Sequence, residues 1–145
     1  MIIATLAAMA ALFDPTAAQA APAAAARAAI DVDIPEVAGV TADPTCGGRA
    51  AVAQQAFCVA TTQAGAEGLM DVFDASFKRQ GWLAAGGGDN LVVYVKRKET
   101  GGCNAFQVLA FAPEDAAPSP AGPAYIAFAA IPGDVCHAAA GAPAQ

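Results

Sequence analysis

The sequence predicts a two-layer α+β domain: a three-stranded antiparallel meander, with a fourth strand as an option, packed on one main helix and stapled by disulfides. Three observations predict it. One segment carries apolar residues at the helical period. Three later segments are rich in strand-forming residues and are separated by glycine- or proline-rich connections. The chain also has 4 cysteines, enough for two bridges.

The segment 1–20 has the layout of a secretory signal. Its apolar run, 2–13, is followed by the small-x-small sequence Ala18-Gln19-Ala20, which predicts cleavage before Ala21. No Lys or Arg precedes the run, so a buried N-terminal helix and an uncleaved anchor are alternatives. The run is shorter than the roughly 20 residues that span a bilayer. We therefore expect an exported protein, periplasmic or secreted, with no stable membrane span in the mature chain.

Composition divides the remaining chain into three parts. An Ala/Pro-rich and then acidic lead-in, expected to be flexible, covers 21–45. A single small α+β domain covers 46–137, and a disordered tail covers 138–145. The formal net charge of −6 argues against nucleic acid as a partner, because binding to phosphates needs an excess of basic side chains.

The main helix is predicted over 67–80. Its apolar stripe at the helical period consists of Leu69, Val72, Phe73, Ser76 and Phe77. Basic Lys78 and Arg79 suit the negative end of the helix dipole, and Gly81 is typical of the residue just past a helix. The stripe is expected to cover one face of the sheet.

Strands are predicted over 91–98, 103–112 and 124–131, and 57–61 has the character of a fourth. A hairpin connection over 99–102 sets Leu91, Val93 and Val95 opposite Ala110, Val108 and Phe106. A symmetric second hairpin sets Ile126, Phe128 and Ala130 opposite the same three residues. One face of the meander then becomes apolar, while Gly86-Gly87-Gly88 is expected to form a turn.

The opposite face of this sheet is expected to carry a mixed set of side chains. Its candidate binding residues are Tyr94, Gln107, Leu109 and Tyr125. One interpretation is a sheet face half covered by the 30–61 region. The other is a binding surface for a protein or small ligand, since exposed aromatic patches often mark contacts.

The cysteines are expected to form structural disulfides, because an exported chain meets an oxidising compartment. Cys103 begins one predicted strand and Cys136 follows its neighbour, so their pairing is plausible and leaves Cys46 with Cys58. The second pair requires a short helix or a strand at Cys58, since a disulfide needs Cα atoms within about 7 Å. A crossed pairing is the alternative. Zinc-type spacing is absent, so no metal is predicted.

No catalytic or cofactor signature appears. His137 follows Cys136, whose expected bridge removes it as a nucleophile. The carboxylate pairs Asp71/Asp74 and Glu114/Asp115 resemble solvated surface. We expect an exported, non-enzymatic binding or accessory protein of the cell envelope that uses no cofactor and whose partner is an unknown protein or small ligand. The alternatives are a small hydrolase that uses surface-cleft carboxylates and a structural or stress-related envelope protein.

Overall fold

The structure, a computed structural model, describes residues 15–136, with side chains from 23 onward. Nine elements follow one another along this part of the chain: α1 (Pro15–Ile30), β1 (Thr41–Ala42), α2 (Ala50–Ala53), β2 (Phe57–Thr62), α3 (Gln63–Arg79), β3 (Leu83–Gly87), β4 (Leu91–Arg97), β5 (Cys103–Phe111) and β6 (Pro123–Ile131). The predicted signal up to Asp14, His137 and the tail 138–145 lie outside the described residues.

The strands form one antiparallel sheet in the order β1-β2-β6-β5-β4-β3. The predicted α+β class and antiparallel pairing are confirmed, whereas the predicted count of three or four strands is wrong. Strand β2 is the optional fourth strand, and β1 and β3 extend the two edges. Strand β3 has the sequence LAAGG, which lacks the β-branched residues that mark strands. Backbone pairing with β4 nevertheless holds these residues in an extended strand.

The main core lies between the sheet and the two longer helices. Helix α3 begins after Thr62, whose hydroxyl accepts a hydrogen bond from the Gly65 N–H at 3.1 Å. It buries Leu69, Phe73, Ser76 and Phe77. Val72 is 45 % exposed, so its predicted place on the buried stripe is wrong. It lies at the flank of the stripe, where the helix surface turns away from the sheet.

Helix α1 packs beside α3 on the same core. Ala23, Ala26 and Ile30 are buried, and Ile34 continues this packing into the following segment. The Gln80 side chain fixes that segment, since it accepts from the Asp33 N–H at 2.8 Å and donates to the Asp33 carbonyl at 2.7 Å. Cleavage before Ala21 stays a prediction, and it would leave all of these contacts in the mature chain.

The β5–β6 register agrees with the sequence-based pairing, with Val108 opposite Phe128. The predicted β4–β5 register is wrong by one residue, because Val92 and not Val93 lies opposite Val108. The connection has five residues, 98–102, rather than four. The Lys98 N–H donates to the Gly102 carbonyl at 3.0 Å and closes this loop. A one-residue slip turns every β4 side chain to the other face of the sheet.

None of the helices in residues 15–136 combines the length and apolarity that crossing a bilayer requires.

Candidate functional site

The side of the sheet that faces away from α1 and α3 is the candidate site, and we call it the outer face. The side chains that the register places there include Leu91, Val93, Val95, Gln107, Leu109, Phe111, Tyr125, Ala127 and Ala129. Most of them are apolar and half-buried. The outer face is therefore apolar, although no long helix within residues 15–136 covers it.

Helix α2 covers only the end of the outer face nearest β2 and β6. A small second core forms there from Cys46, Ala56, Cys58 and Ala127. Beside it lies a groove of about 210 Å³ between α2 and the sheet, which Gln107 and Leu109 line from the sheet side. Gln107 thus brings an amide donor and acceptor to a mostly apolar floor.

At the opposite end, near β3, the outer face widens into a hollow of about 430 Å³. Leu83, Val95 and the Cys103–Cys136 bridge line it, and Arg97 adds a basic side chain. Leu83 is 64 % exposed. The residues between the groove and this hollow make the outer face one continuous surface.

The four predicted binding residues do not lie together. Gln107, Leu109 and Tyr125 share the outer face, but Tyr94 points into the main core and is 1 % exposed. The corrected β4 register is the physical reason. In the observed register, Leu91, Val93 and Val95 lie on the outer face, and Tyr94 lies on the helix side. The paired glycines Gly101 and Gly102 were the signal for the longer loop, because both adopt positive φ.

Tyr94 has a structural role at the edge of the core. Its hydroxyl donates to Asp74 Oδ1 at 3.2 Å, and Lys78 Nζ lies 2.6 Å from the other oxygen of that carboxylate. Burial first, and then the charge of Asp74 and the hydrogen bond to it, raise the pKa of Tyr94 to about 12.

We expect the phenol of Tyr94 to ionise about two pH units above its ordinary pKa of 10.0. The unfolded chain loses this proton first, so stability is retained below pH 10 and declines as the pH rises toward 12. A Tyr125→Phe variant leaves Tyr94 as the sole tyrosine, and its ultraviolet absorbance titration reports the midpoint. A midpoint near 10 in the folded protein would contradict the placement of Tyr94.

Tyr125 is held by the loop that precedes α2. Its ring packs against Phe111, with centroids 5.6 Å apart. On the other side Gly47 adopts a φ of +64°, and a Cβ there would stand 2.6 Å from the Tyr125 ring. Only glycine allows this close approach. The Tyr125 ring is thus packed between the loop and the sheet, and only part of it is accessible to solvent.

Asp43 organises the same loop. Its carboxylate accepts hydrogen bonds from the Thr45 hydroxyl at 2.7 Å, the Thr45 N–H at 2.9 Å and the Gly47 N–H at 2.8 Å. Partial burial alone would raise the pKa of Asp43, but these hydrogen bonds outweigh it and the pKa is lowered from 3.8. The loop carries Cys46 into position for its bridge to Cys58.

An Asp43→Ala variant is expected to lose about 1–2 kcal/mol of unfolding free energy at pH 7, because three donors lose their acceptor at a partly exposed site. The lowered pKa makes this contribution present above pH 3.8 and lost as the pH falls through the folded-state value. Urea unfolding at several pH values tests this expectation. The gap between wild type and variant should close in acid, and a gap independent of pH would contradict it.

The structure contains both predicted bridges, Cys46–Cys58 and Cys103–Cys136, with Cα–Cα distances of 5.3 Å in each. This is the pairing that the strand order favoured. Helix α2 ends at Ala53 and Cys58 lies on β2, which meets the condition for the first pair. Asp134 supports the second, since its Oδ1 accepts from the N–H groups of both Cys103 and Cys136.

Two carboxylates from the pairs noted in the sequence, Asp74 and Glu114, each lie beside a basic side chain. Asp74 is bound by Tyr94 and Lys78, and Glu114 lies 3.8 Å from Arg49. Neither pair lines the groove or the hollow. Within residues 15–136, no group of three His, Cys, Asp or Glu side chains is arranged to hold a metal ion.

A further cavity of about 370 Å³ lies on the helix side, between α1, the 34–40 segment and β2. Arg27 reaches across it, with its guanidinium 4.8 Å from the centroid of the Phe57 ring and a hydrogen bond of 3.5 Å to the Ile34 carbonyl. The guanidinium therefore helps to fasten α1 to the segment that follows it.

Comparisons of this chain with protein-family models, with curated proteins and with solved structures find no match.

Proposed function

We propose that the chain is an exported, non-enzymatic binding domain of the cell envelope, and that its outer face holds an apolar segment of another protein. The observation that carries this proposal is the continuous apolar surface that runs from Leu109 through Val93 and Val95 to Leu83. Large contiguous apolar patches are uncommon on proteins that work alone, and they commonly mark contact surfaces.

The shape of the outer face supports a protein segment as the occupant. The groove beside α2 and the hollow beside β3 flank the Val93 region at its two ends. A bound segment could place one side chain in each depression and cover the half-buried valines between them. Such anchoring of a few buried side chains supplies most of the binding energy in protein interfaces.

The charge at the hollow favours a partner segment of a particular charge and orientation. Arg97 is a basic side chain at this end, although the chain as a whole carries a formal net charge of −6. A partner segment with an acidic residue at this end would meet complementary charge, which favours one orientation along the outer face. The segment proposed is therefore apolar, with an acidic residue at one end.

A capture experiment with two matched substitutions tests this function. Wild-type chain, Val93→Glu and Val72→Glu are each immobilised and exposed to an envelope fraction of the host. Both valines are solvent-accessible, but Val93 lies on the outer face and Val72 on α3. Val93→Glu should lose a partner that the other two forms retain, while thermal unfolding confirms that it is folded. Equal recovery by all three forms would remove the outer face as the site.

Export is a separate part of the proposal and has its own test. Both disulfides are consistent with an oxidising compartment. Intact mass of the protein recovered from its host is expected to match a chain that begins at Ala21. Alkylation should label no cysteine before reduction and all 4 after it. Retention of Met1 together with free thiols would contradict export.

A further inference from the structure

We propose that the β3 edge of the sheet pairs with β3 of a second copy of this chain, which joins the two sheets across a two-fold axis. Strand β3 is the last strand in the sheet order, so among residues 15–136 only one of its sides is paired. Its five residues, Leu83–Gly87, are all exposed. An open strand edge offers unpaired N–H and C=O groups to another extended backbone.

The usual protection of such an edge is incomplete here. From Gln80 to Gly88 no residue is ionisable, and β3 contains no proline. Within the part of the chain that the structure describes, the bulge at Ala85 is the one feature that protects this edge. At the other edge, β1 has only two residues and offers little backbone for pairing. Association through β3 would thus stop at two copies instead of growing into a fibre.

The bulge makes the strand complementary to itself. Leu83 and Gly86 pair with Val95 and Val93, so both lie on the outer face. If the two-fold axis is perpendicular to the sheet, the outer faces of the two copies lie on the same side of the joined sheet. Leu83 then lies opposite Gly86 of the second copy. The one large side chain of the strand thereby meets a residue without a side chain, and Ala84 lies opposite Ala85. A second copy therefore fits the edge in size and in backbone geometry.

Sedimentation velocity over the micromolar range, on the full chain with its disulfides intact, tests the proposal. Wild type should show a reversible monomer–dimer equilibrium. Leu83→Lys should raise the dissociation constant about tenfold or more, because the symmetry introduces two cations at the contact. Val72→Lys, at an exposed position on α3, should leave the equilibrium unchanged. Leu83 is exposed, so its substitution is compatible with folding, and a thermal melt of each variant checks this.

Two further variants locate the contact. Ala85→Cys lies beside the two-fold axis and should give a covalent dimer under mild oxidation, whereas Val72→Cys should not. Leu109→Glu lies in the groove beside α2, two strands away from β3, so it should leave the dimer intact while it abolishes capture of the partner proposed above. The two proposals therefore fail independently. A chain that stays monomeric throughout the range, or a dimer insensitive to Leu83→Lys, would overturn the proposal.

Discussion

Replacing Phe77 by alanine is expected to lower the unfolding free energy by about 3–5 kcal/mol. Phe77 is 0 % exposed and lies at the centre of the aromatic core. Its ring meets Tyr94 and Phe106 edge-on, each at a centroid distance of 5.2 Å, and stacks on Phe73 at 6.0 Å. The truncation leaves a cavity among rings that α3 and the sheet hold in place, so the site cannot collapse easily.

Guanidinium unfolding monitored by circular dichroism measures this loss. Val72→Ala is the matched control on the same helix, and because Val72 is 45 % exposed it should change stability by less than about 0.5 kcal/mol. Phe77→Leu should fall between the two, since it retains part of the buried volume. Similar losses for Phe77→Ala and Val72→Ala would mean that α3 does not pack on the sheet through this stripe.

Removing the Cys103–Cys136 bridge is the second large expected effect. A Cys103→Ala/Cys136→Ala double variant should lose about 4 kcal/mol through the regained freedom of the unfolded chain. The bridge spans 33 residues and closes the β5–β6 hairpin at its open end. Asp134 would keep its backbone hydrogen bonds there, so the native fold should persist at low temperature.

The other bridge provides the comparison. Cys46 and Cys58 are separated by 12 residues, for which the same entropic argument gives about 3 kcal/mol. Denaturant titrations of both double variants measure the difference. If removal of Cys103–Cys136 left the midpoint unchanged, the bridge would be absent from the protein in solution.

The elements with strong local patterns were predictable from the sequence. The stripe of α3 and the glycine at Gly81 located the helix, although its first turn begins earlier, at Gln63. The β5–β6 register followed from a hairpin that is symmetric about its proline-rich loop, because this pairing makes one face of the sheet apolar. The predictions of the helix-covered antiparallel sheet and of both disulfide bridges depended on the α3 stripe and on the β5–β6 register.

Other elements depend on tertiary contacts that no local pattern reveals. Strand β3 consists of leucine, alanine and glycine, and it is extended because β4 supplies its hydrogen bonds. The β4 register depends on whether Lys98 belongs to the strand or to the loop. Both β4 faces are apolar enough for either choice, so periodicity could not decide. For this reason Tyr94 was predicted on the binding face but lies in the core, and Val93 lies on the outer face.

The proposed function depends on the outer face being a protein-binding surface in the host, and position-specific photo-crosslinking tests this most directly. A photoreactive residue is placed at Val93 in one strain and at Val72 in another, and the exported chain is irradiated in intact cells. We expect one discrete adduct with a second protein from Val93 and none from Val72. Absence of an adduct at Val93, or the same adducts from both positions, would contradict the assignment of the outer face.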